Sequence, residues 1–325
     1  MSIRKNCAII LCTLYCFVEI MLSTELTYIV PSSIISIFKY IIAIISAIYL
    51  LIDCWDFKFS FKIFITVLLL FVLAVCVLFF AMSLQILMIL VFSLLLRKYK
   101  FFEILKPMYL MLWVAFLLTV FLSIANIFPN IDHSRNGLVR YALGFGTPTL
   151  GQSILLFLLL TKFYLKKNDM SYLCISLFFI LIVIMYYFTA GRTGFYLSLL
   201  ALLFIILYKL GYKSRCWNHF FSSKILMFGF IVLPIIFLTL SLILTKLYAD
   251  GNSFAIKLNY ILSTRLLLQM NAFNERAITI FGQNIEWINN ENIYIGVDNS
   301  YLFNLFNYGI IVFILALCLY SYMIY

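Results

Sequence analysis

The sequence predicts an all-α, polytopic integral membrane protein, and three observations lead there. Hydrophobic residues make up 66% of the 325 residues and charged residues only 11%. Mean hydropathy is +1.12, a composition that suits lipid rather than water as the solvent. The apolar residues also fall in runs long enough to cross a hydrocarbon core of ~30 Å. No separate soluble domain stands out, so residues 1–325 form a single membrane domain.

Apolar runs at 7–22, 31–52, 63–79, 83–96, 107–127, 150–165, 171–189, 194–212, 225–247 and 300–321 predict about ten transmembrane helices. The first run lacks a small-residue cleavage site and more runs follow it, so it is an anchor and not a removed signal peptide. Residues 63–96 carry no charge; as one helix they would extend roughly 51 Å, too far for one crossing, which predicts a break near Ala81 to Gln85. The runs ending at 189 and starting at 194 form a hairpin whose tip is Thr189-Ala190-Gly191-Arg192-Thr193-Gly194. Ending at Tyr325 inside or just past a run, with no basic tail, the sequence is expected to continue in the full gene product.

Two longer segments lie between runs, at 128–149 and 248–299. The second is too long for a structureless loop and is expected to fold against the membrane as a cap. Its stretch from Phe254 to Arg276 is compatible with one helix. At 100° per residue, Phe254, Leu258, Ile261, Leu262, Leu268, Gln269 and Ala272 gather around Arg265, and Arg276 falls on the same face.

Charge orients the chain. With the N-terminus in the cytoplasm, the loops holding Lys58 and Lys62, Arg97 to Lys106, Lys162 to Lys167, and Lys209 to Lys224 all lie inside, as the positive-inside bias requires. The other face receives Arg135, Arg140, Arg192, Lys246, Lys257, Arg265 and Arg276. The formal net charge of +11 is therefore a topology signal and does not point to nucleic acid. Of the eight cysteines, Cys7, Cys12, Cys16, Cys76, Cys174 and Cys318 fall in apolar runs, while Cys54 and Cys216 fall in cytoplasmic loops. No disulfide is expected, and the lack of a CxxC motif predicts no zinc site.

The extracytoplasmic arginines carry the candidate chemistry. Arg192 sits at the tip of a short, glycine-flanked turn, where a guanidinium fork suits phosphate or carboxylate. Arg265 and Arg276 either snorkel to lipid headgroups or turn toward a buried anionic ligand. Lys39, inside the second run, either reaches up from the membrane along its own stem or serves a lipid phosphate. His133 and Arg135, beside Asp132 and Asn136, suit a solvated loop, and His219 lies on the cytoplasmic side.

Arg140-Tyr141-Ala142-Leu143-Gly144-Phe145-Gly146-Thr147-Pro148, followed by a span and then Gly191-Arg192-Thr193-Gly194, resembles bacterial Wzy-type O-antigen and capsule polymerases. Phe281-Gly282, Val297-Asp298-Asn299-Ser300-Tyr301-Leu302 and Tyr308-Gly309-Ile310-Ile311 are similar to the terminal pattern of that family. Arg140 followed by Gly151 also fits the family's arginine-x10-glycine spacing. The second copy is absent, because Arg265 is followed at that spacing by Arg276, and Thr149 stands where the family has Asn after the proline.

The resemblance implies a GT-C-like membrane enzyme of the bacterial cytoplasmic (inner) membrane. It would join undecaprenyl-diphosphate-linked oligosaccharide repeat units at the outer face, with no cofactor and no metal. A chain-length regulator and a glycan flippase are the implied neighbours, beside membrane lipid. An acceptor hydroxyl attacks the anomeric carbon and undecaprenyl diphosphate leaves, its developing charge met by fixed cations. Arg192 and Asp298 are the implied catalytic residues; Arg140, Arg265, Arg276, Asn299, Tyr301 and Lys39 are the substrate-binding candidates. Asp298 stands where the related O-antigen ligases have a histidine, and it suits either a general base or a partner holding an arginine. Tyr301 equally fits an interfacial aromatic belt. Three other classes compete, and of these a purely structural membrane subunit would not need Arg140, Arg192 and Arg265 on one face. A ligase shares the donor and differs in the acceptor, and a flippase or transporter would favour two matching halves, which the sequence lacks.

Overall fold

The computed structural model describes residues 2–55, 60–130, 140–211, 223–262, 264–285 and 299–324. Among the described residues the chain is helical, with one isolated antiparallel bridge, Thr24 to Phe145, and no strand. The helices are α1 (Ser2–Leu22), α2 (Ser32–Trp55), α3 (Phe61–Ala81), α4 (Gln85–Leu95), α5 (Phe101–Ile124), α6 (Pro148–Lys166), α7 (Tyr172–Thr189), α8 (Arg192–Gly211), α9 (Lys224–Ala249), α10 (Ser253–Ile261), α11 (Arg265–Glu275) and α12 (Ser300–Ile324).

Eight of these, α2, α3, α5 to α9 and α12, are long and apolar enough to cross a membrane. The apolar part of α1, Asn6–Leu22, and α4 are shorter. The outward surface fits a lipid solvent: Ile44, Leu69, Leu173, Leu203 and Phe228 are 54–70% exposed, which water would penalise at every position. The protein is thus a multi-pass membrane protein. The break expected near Ala81 is present, with α3 ending there and Met82 adopting left-handed φ (52°) before α4 starts at Gln85.

The chain divides into two compact units, residues 1–58 with 91–213 and residues 59–90 with 214–325. In the first unit, α6 is the central helix. Leu155, Leu158 and Leu159 are fully buried in a cluster that also takes Phe145, Phe178, Ile182 and Ile205 from neighbouring segments. Close approach to α6 is made by glycine. A Cβ on Gly194 of α8 would lie 2.5 Å from the Gln152 Cβ, and one on Gly151 would lie 2.6 Å from Met185 Cε. At the end of the unit where α2 terminates, Asp53 pairs with Arg97 at 2.7 Å and Lys98 at 2.9 Å. Lys209 there donates to the Met170 carbonyl and lies over the Tyr172 ring.

The second unit is built on α9, α11 and α12, with Leu302, Phe306 and Ala272 at the centre of its apolar cluster. Here the stretch expected as one helix from Phe254 to Arg276 is two. Leu262 ends α10, Thr264 turns left-handed (φ 66°), and the Asn259 side-chain oxygen accepts from Leu266 and Leu267 N–H to cap α11. The face counted through that corner therefore does not form: Phe254 and Ile261 are exposed, whereas Ala255, Asn259, Leu266, Gln269 and Ala272 are buried.

A second departure from regular helix lies within α12, where Gly309 has φ 83° and ψ 174°, a region open essentially to glycine alone. The N–H groups freed there are not lost to lipid. Ile310 donates to Thr279 O at 3.1 Å and Ile311 to Ile280 O at 3.4 Å. Segment 279–282 lies so close that a Cβ on Gly309 would be 2.3 Å from Ile280 O, and one on Gly282 (φ 85°) 2.1 Å from Asn307 O. Sequence periodicity passes over this joint because hydropathy does not register the backbone conformation of a single glycine.

Gly309→Ala and Gly282→Ala should each destabilise the protein, at about 1–3 kcal/mol for the backbone conformation with the added cost of the displaced carbonyl. Gly229→Ala on α9, whose new Cβ meets nothing within 4 Å, should be neutral or mildly stabilising. Melting temperatures of the three purified variants in one detergent check this. Equal melting of all three would show that the joint carries no stability.

Candidate functional site

The 140–147 segment and the α7–α8 corner meet at one end of the first unit, and short-range geometry explains the residue choice. Leu143 and Gly144 both have positive φ, and Gly144 could not carry a side chain because its Cβ would lie 2.8 Å from Thr119 O. The turn drives Phe145 into the core, where it is fully buried and stacked on Phe116 at 5.8 Å. Gly146 then passes against α1, its N–H donating to Ser23 O at 2.9 Å, while Glu25 N–H donates to Gly144 O at 2.8 Å. Pro148 opens α6, a position that needs no N–H. Tyr141 N–H donates to Phe188 O and Leu143 N–H to the Asn130 side chain, so the segment is held from three sides.

The α7–α8 corner is equally tight. Ala190, not a glycine, takes the left-handed conformation (φ 45°), and Thr189 Oγ1 accepts from Gly191 N–H. Gly191 is buried with its Cβ direction 3.4 Å from Pro148 O, which sets the start of α8 beside the start of α6. Gly144, Gly146, Gly191 and Gly194 thus face protein backbone and side chains. They serve packing, where closeness to a ligand could have been expected.

The two arginines differ in what they do. Arg140 is half-buried, and its Nε donates to Thr189 O at 3.2 Å, placing a cation at the carboxyl end of α7 where the helix dipole is negative. Arg192 is exposed, and its guanidinium has no hydrogen-bond or ion-pair partner among the described residues. It occupies the first position of α8, where the helix dipole is positive and an arginine is disfavoured. With the N-terminus of α6 adjoining, the corner gathers positive potential that an anion would relieve.

Lys39 reaches neither open lipid nor this corner: its Nζ lies 2.8 Å from Glu19 Oε1 and 6.0 Å from the Tyr15 ring centroid. Glu19 is the acidic partner that hydropathy counting passes over; a lone carboxylate in one run opposite a lone lysine in the next is the signal that reveals it. Glu25, likewise unflagged by the sequence, is fully buried beside the 140–147 segment. Among the described residues, no three of His, Cys, Asp and Glu are grouped as a metal site would require.

In the second unit, Arg265 opens α11 and Arg276 follows its end in extended backbone (φ −142°), both half-buried. The helix separates them by about 16 Å at 1.5 Å per residue. Asn299 is committed structurally: its Oδ1 accepts from Tyr301 N–H at 3.0 Å as the N-cap of α12, and its Nδ2 donates to Ser241 Oγ at 2.7 Å. Ser241 and Thr245 of α9 both donate to buried Gln269 of α11, so one network ties α9, α11 and α12. Tyr301 packs against the apolar cluster of this unit. Asp298 immediately precedes this cap and lies outside the described residues.

Arg140 and Arg192 are thereby brought together at one corner of the first unit, and Arg265, Asn299 and Tyr301 belong to the second. No family model, curated protein or solved structure matches the chain.

Proposed function

We propose that the protein is a polymerase that joins undecaprenyl-diphosphate-linked oligosaccharide repeat units at the outer face of the bacterial cytoplasmic membrane. The observation that carries the proposal is Arg192, an exposed guanidinium with no partner among the described residues, at the α8 N-terminus beside the α6 N-terminus and Arg140. Such a corner suits a doubly charged phosphate leaving group. The short motifs around Arg140, Arg192 and Asp298 resemble those of Wzy-type polymerases, which supplies the substrate class.

In the proposed reaction the acceptor hydroxyl oxygen bonds to the anomeric carbon of the growing chain. The bond from that carbon to the diphosphate oxygen breaks, and undecaprenyl diphosphate leaves with the electron pair. A general base takes the hydroxyl proton, the role that the resemblance gives Asp298, and direct displacement inverts the anomeric centre. Arg192 meets the charge that develops on the leaving oxygen, where a preorganised donor contributes most. Arg140 fixes the corner through the α7 carbonyl and adds its charge to the same face.

Orientation is part of the proposal. Lys100, Lys106, Lys162, Lys166 and Lys167 border the end of the first unit opposite the arginine corner, which the positive-inside bias assigns to the cytoplasm. In a cysteine-free background, Thr149→Cys should react with a membrane-impermeant maleimide in intact cells, and Ser171→Cys only after lysis. The reverse pattern would place the arginine corner in the cytoplasm and end the polymerase assignment.

Arg192→Ala should lower polymer formation by about 10²- to 10³-fold, the cost typical of one lost transition-state donor. Arg192→Lys should recover little of it, because lysine keeps the charge and loses the planar fork. Polymer per unit of protein in membranes reads both; near-normal chain growth in Arg192→Lys would exclude bidentate phosphate recognition.

Asp298→Asn should slow single-step chain extension by about 10²- to 10⁴-fold while donor binding persists, as expected for loss of a general base. Weakened donor binding with an unchanged chemical step would instead give Asp298 the role of holding an arginine.

A further inference from the structure

In the second unit, the first turns of α4 and one stripe of α12 enclose a cavity of about 350 Å³. Asn304, Tyr308, Val312 and Ala316 form the α12 wall, spanning both sides of the Gly309 break, and Gln85 and Ile89 stand on the α4 wall. The cavity is graded. Its polar groups, Gln85, Asn304 and Tyr308, lie toward the end where α12 begins, and its deeper wall is hydrocarbon. Tyr308 Oη hydrogen-bonds Gln85 Oε1 and joins the two walls, which leaves the Gln85 amide N–H₂ as a donor. The Asn304 carboxamide, half-buried within a membrane-spanning helix, has no hydrogen-bond partner among the described residues. An amide in such a place is costly until something pairs with it.

We infer that this groove is a lipid site that seats one acyl chain of a bilayer glycerolipid, from the leaflet in which α12 begins, with an ester carbonyl accepting from Asn304. Three features select that occupant. The volume is at the small end of ligand cavities, roughly 300–1,000 Å³, and a wall of Ile89, Val312, Phe313 and Ala316 suits a hydrocarbon segment and not the hydroxyls of an oligosaccharide. No lining residue is charged, so a chain whose only oxygens belong to a phosphate would leave an anion without a partner. A glycerolipid carries neutral ester carbonyls directly above its hydrocarbon, the same order of polar and apolar that the groove presents. The inference is independent of the proposed catalytic reaction.

The test is photolabelling of the full chain in nanodiscs of phosphatidylethanolamine and phosphatidylglycerol. One sample contains phosphatidylethanolamine with a diazirine in its acyl chain, and another contains a diazirine-bearing polyprenyl phosphate. The acyl probe should label the 304–316 peptide, and Val312→Trp, which fills the groove, should lower that labelling about tenfold, equivalent to 1.4 kcal/mol. Labelling of exposed Leu173 and Leu177 on α7 should not change, since ordinary surrounding lipid reaches them. Asn304→Leu, similar in size, should lower groove labelling several-fold with an unchanged melting temperature, and it decides the matter if Val312→Trp does not accumulate. Acyl labelling of 304–316 that survives these substitutions would reduce the groove to ordinary lipid contact. Displacement of the acyl probe by the polyprenyl probe would assign the groove to the isoprenoid and overturn the inference.

Discussion

In a hydrocarbon solvent every backbone N–H and C=O must find a partner inside the protein, and the rest of this structure depends on that constraint. Regular helix meets it automatically, so the informative places are where helix stops. At Gly309 the freed donors of α12 are taken by Thr279 and Ile280 carbonyls from a non-helical segment. The 140–147 segment, another irregular stretch, is satisfied by Ser23, Phe188 and the Asn130 side chain. In both cases glycine allows the approach: Gly282 against Asn307 O, Gly144 against Thr119 O and Gly146 against Ser23 O. These short glycine-bearing stretches are joints, and their sequence is demanded by backbone accounting before any ligand is considered.

The same accounting sorts the cations. A charge near lipid is tolerated when something offsets it. Lys39 has Glu19, Arg97 and Lys98 share Asp53, and Arg140 sits at the carbonyl end of α7. Among the described residues Arg192 has neither a carboxylate nor a carbonyl against its guanidinium, and it stands at a helix terminus of its own sign. Stability gives no account of that placement, and a bound anion would give one. The functional weight therefore shifts within the original candidates toward Arg192, while Lys39 and Asn299 acquire structural partners.

Much of the fold was legible in the sequence because hydropathy and charge are additive along a chain. The membrane class, the runs and the break between Ala81 and Gln85 all follow from run length and the ~30 Å core. What escaped depends on conformation at single residues or on neighbours far apart in sequence. The α10–α11 corner turns on left-handed Thr264 and the Asn259 cap, which an assumed 100° periodicity through that point cannot register. The α12 joint rests on the backbone conformation of Gly309 alone, inside a segment long and apolar enough to read as one span. At the site, flanking glycines mark the corner that holds Arg192, and the short motif from Arg140 to Pro148 marks the neighbouring segment. Glu19 escaped because a single acid hardly lowers the hydropathy of a run, and Glu25 because it lies in the short connection between two runs, although each is tied down within the fold.

This distinction determines what a phenotype at each arginine can mean. Arg140 donates through Nε to the α7 carbonyl end, so its replacement disturbs the corner that also sets the start of α8. Under the proposed polymerase function, a loss of polymer there would mix scaffold with chemistry, and protein level and melting would move with it. Arg192 projects from the first turn of α8, where Gly191 and Gly194 already fix the backbone against α6. Its side chain can be changed without altering that packing, so a defect confined to turnover isolates the interaction of the guanidinium with substrate. The comparison works because the two residues stand at one corner, one held by the α7 carbonyl end and the other exposed. If the corner binds a diphosphate, the partnered arginine shapes the site and the unpartnered one acts in it.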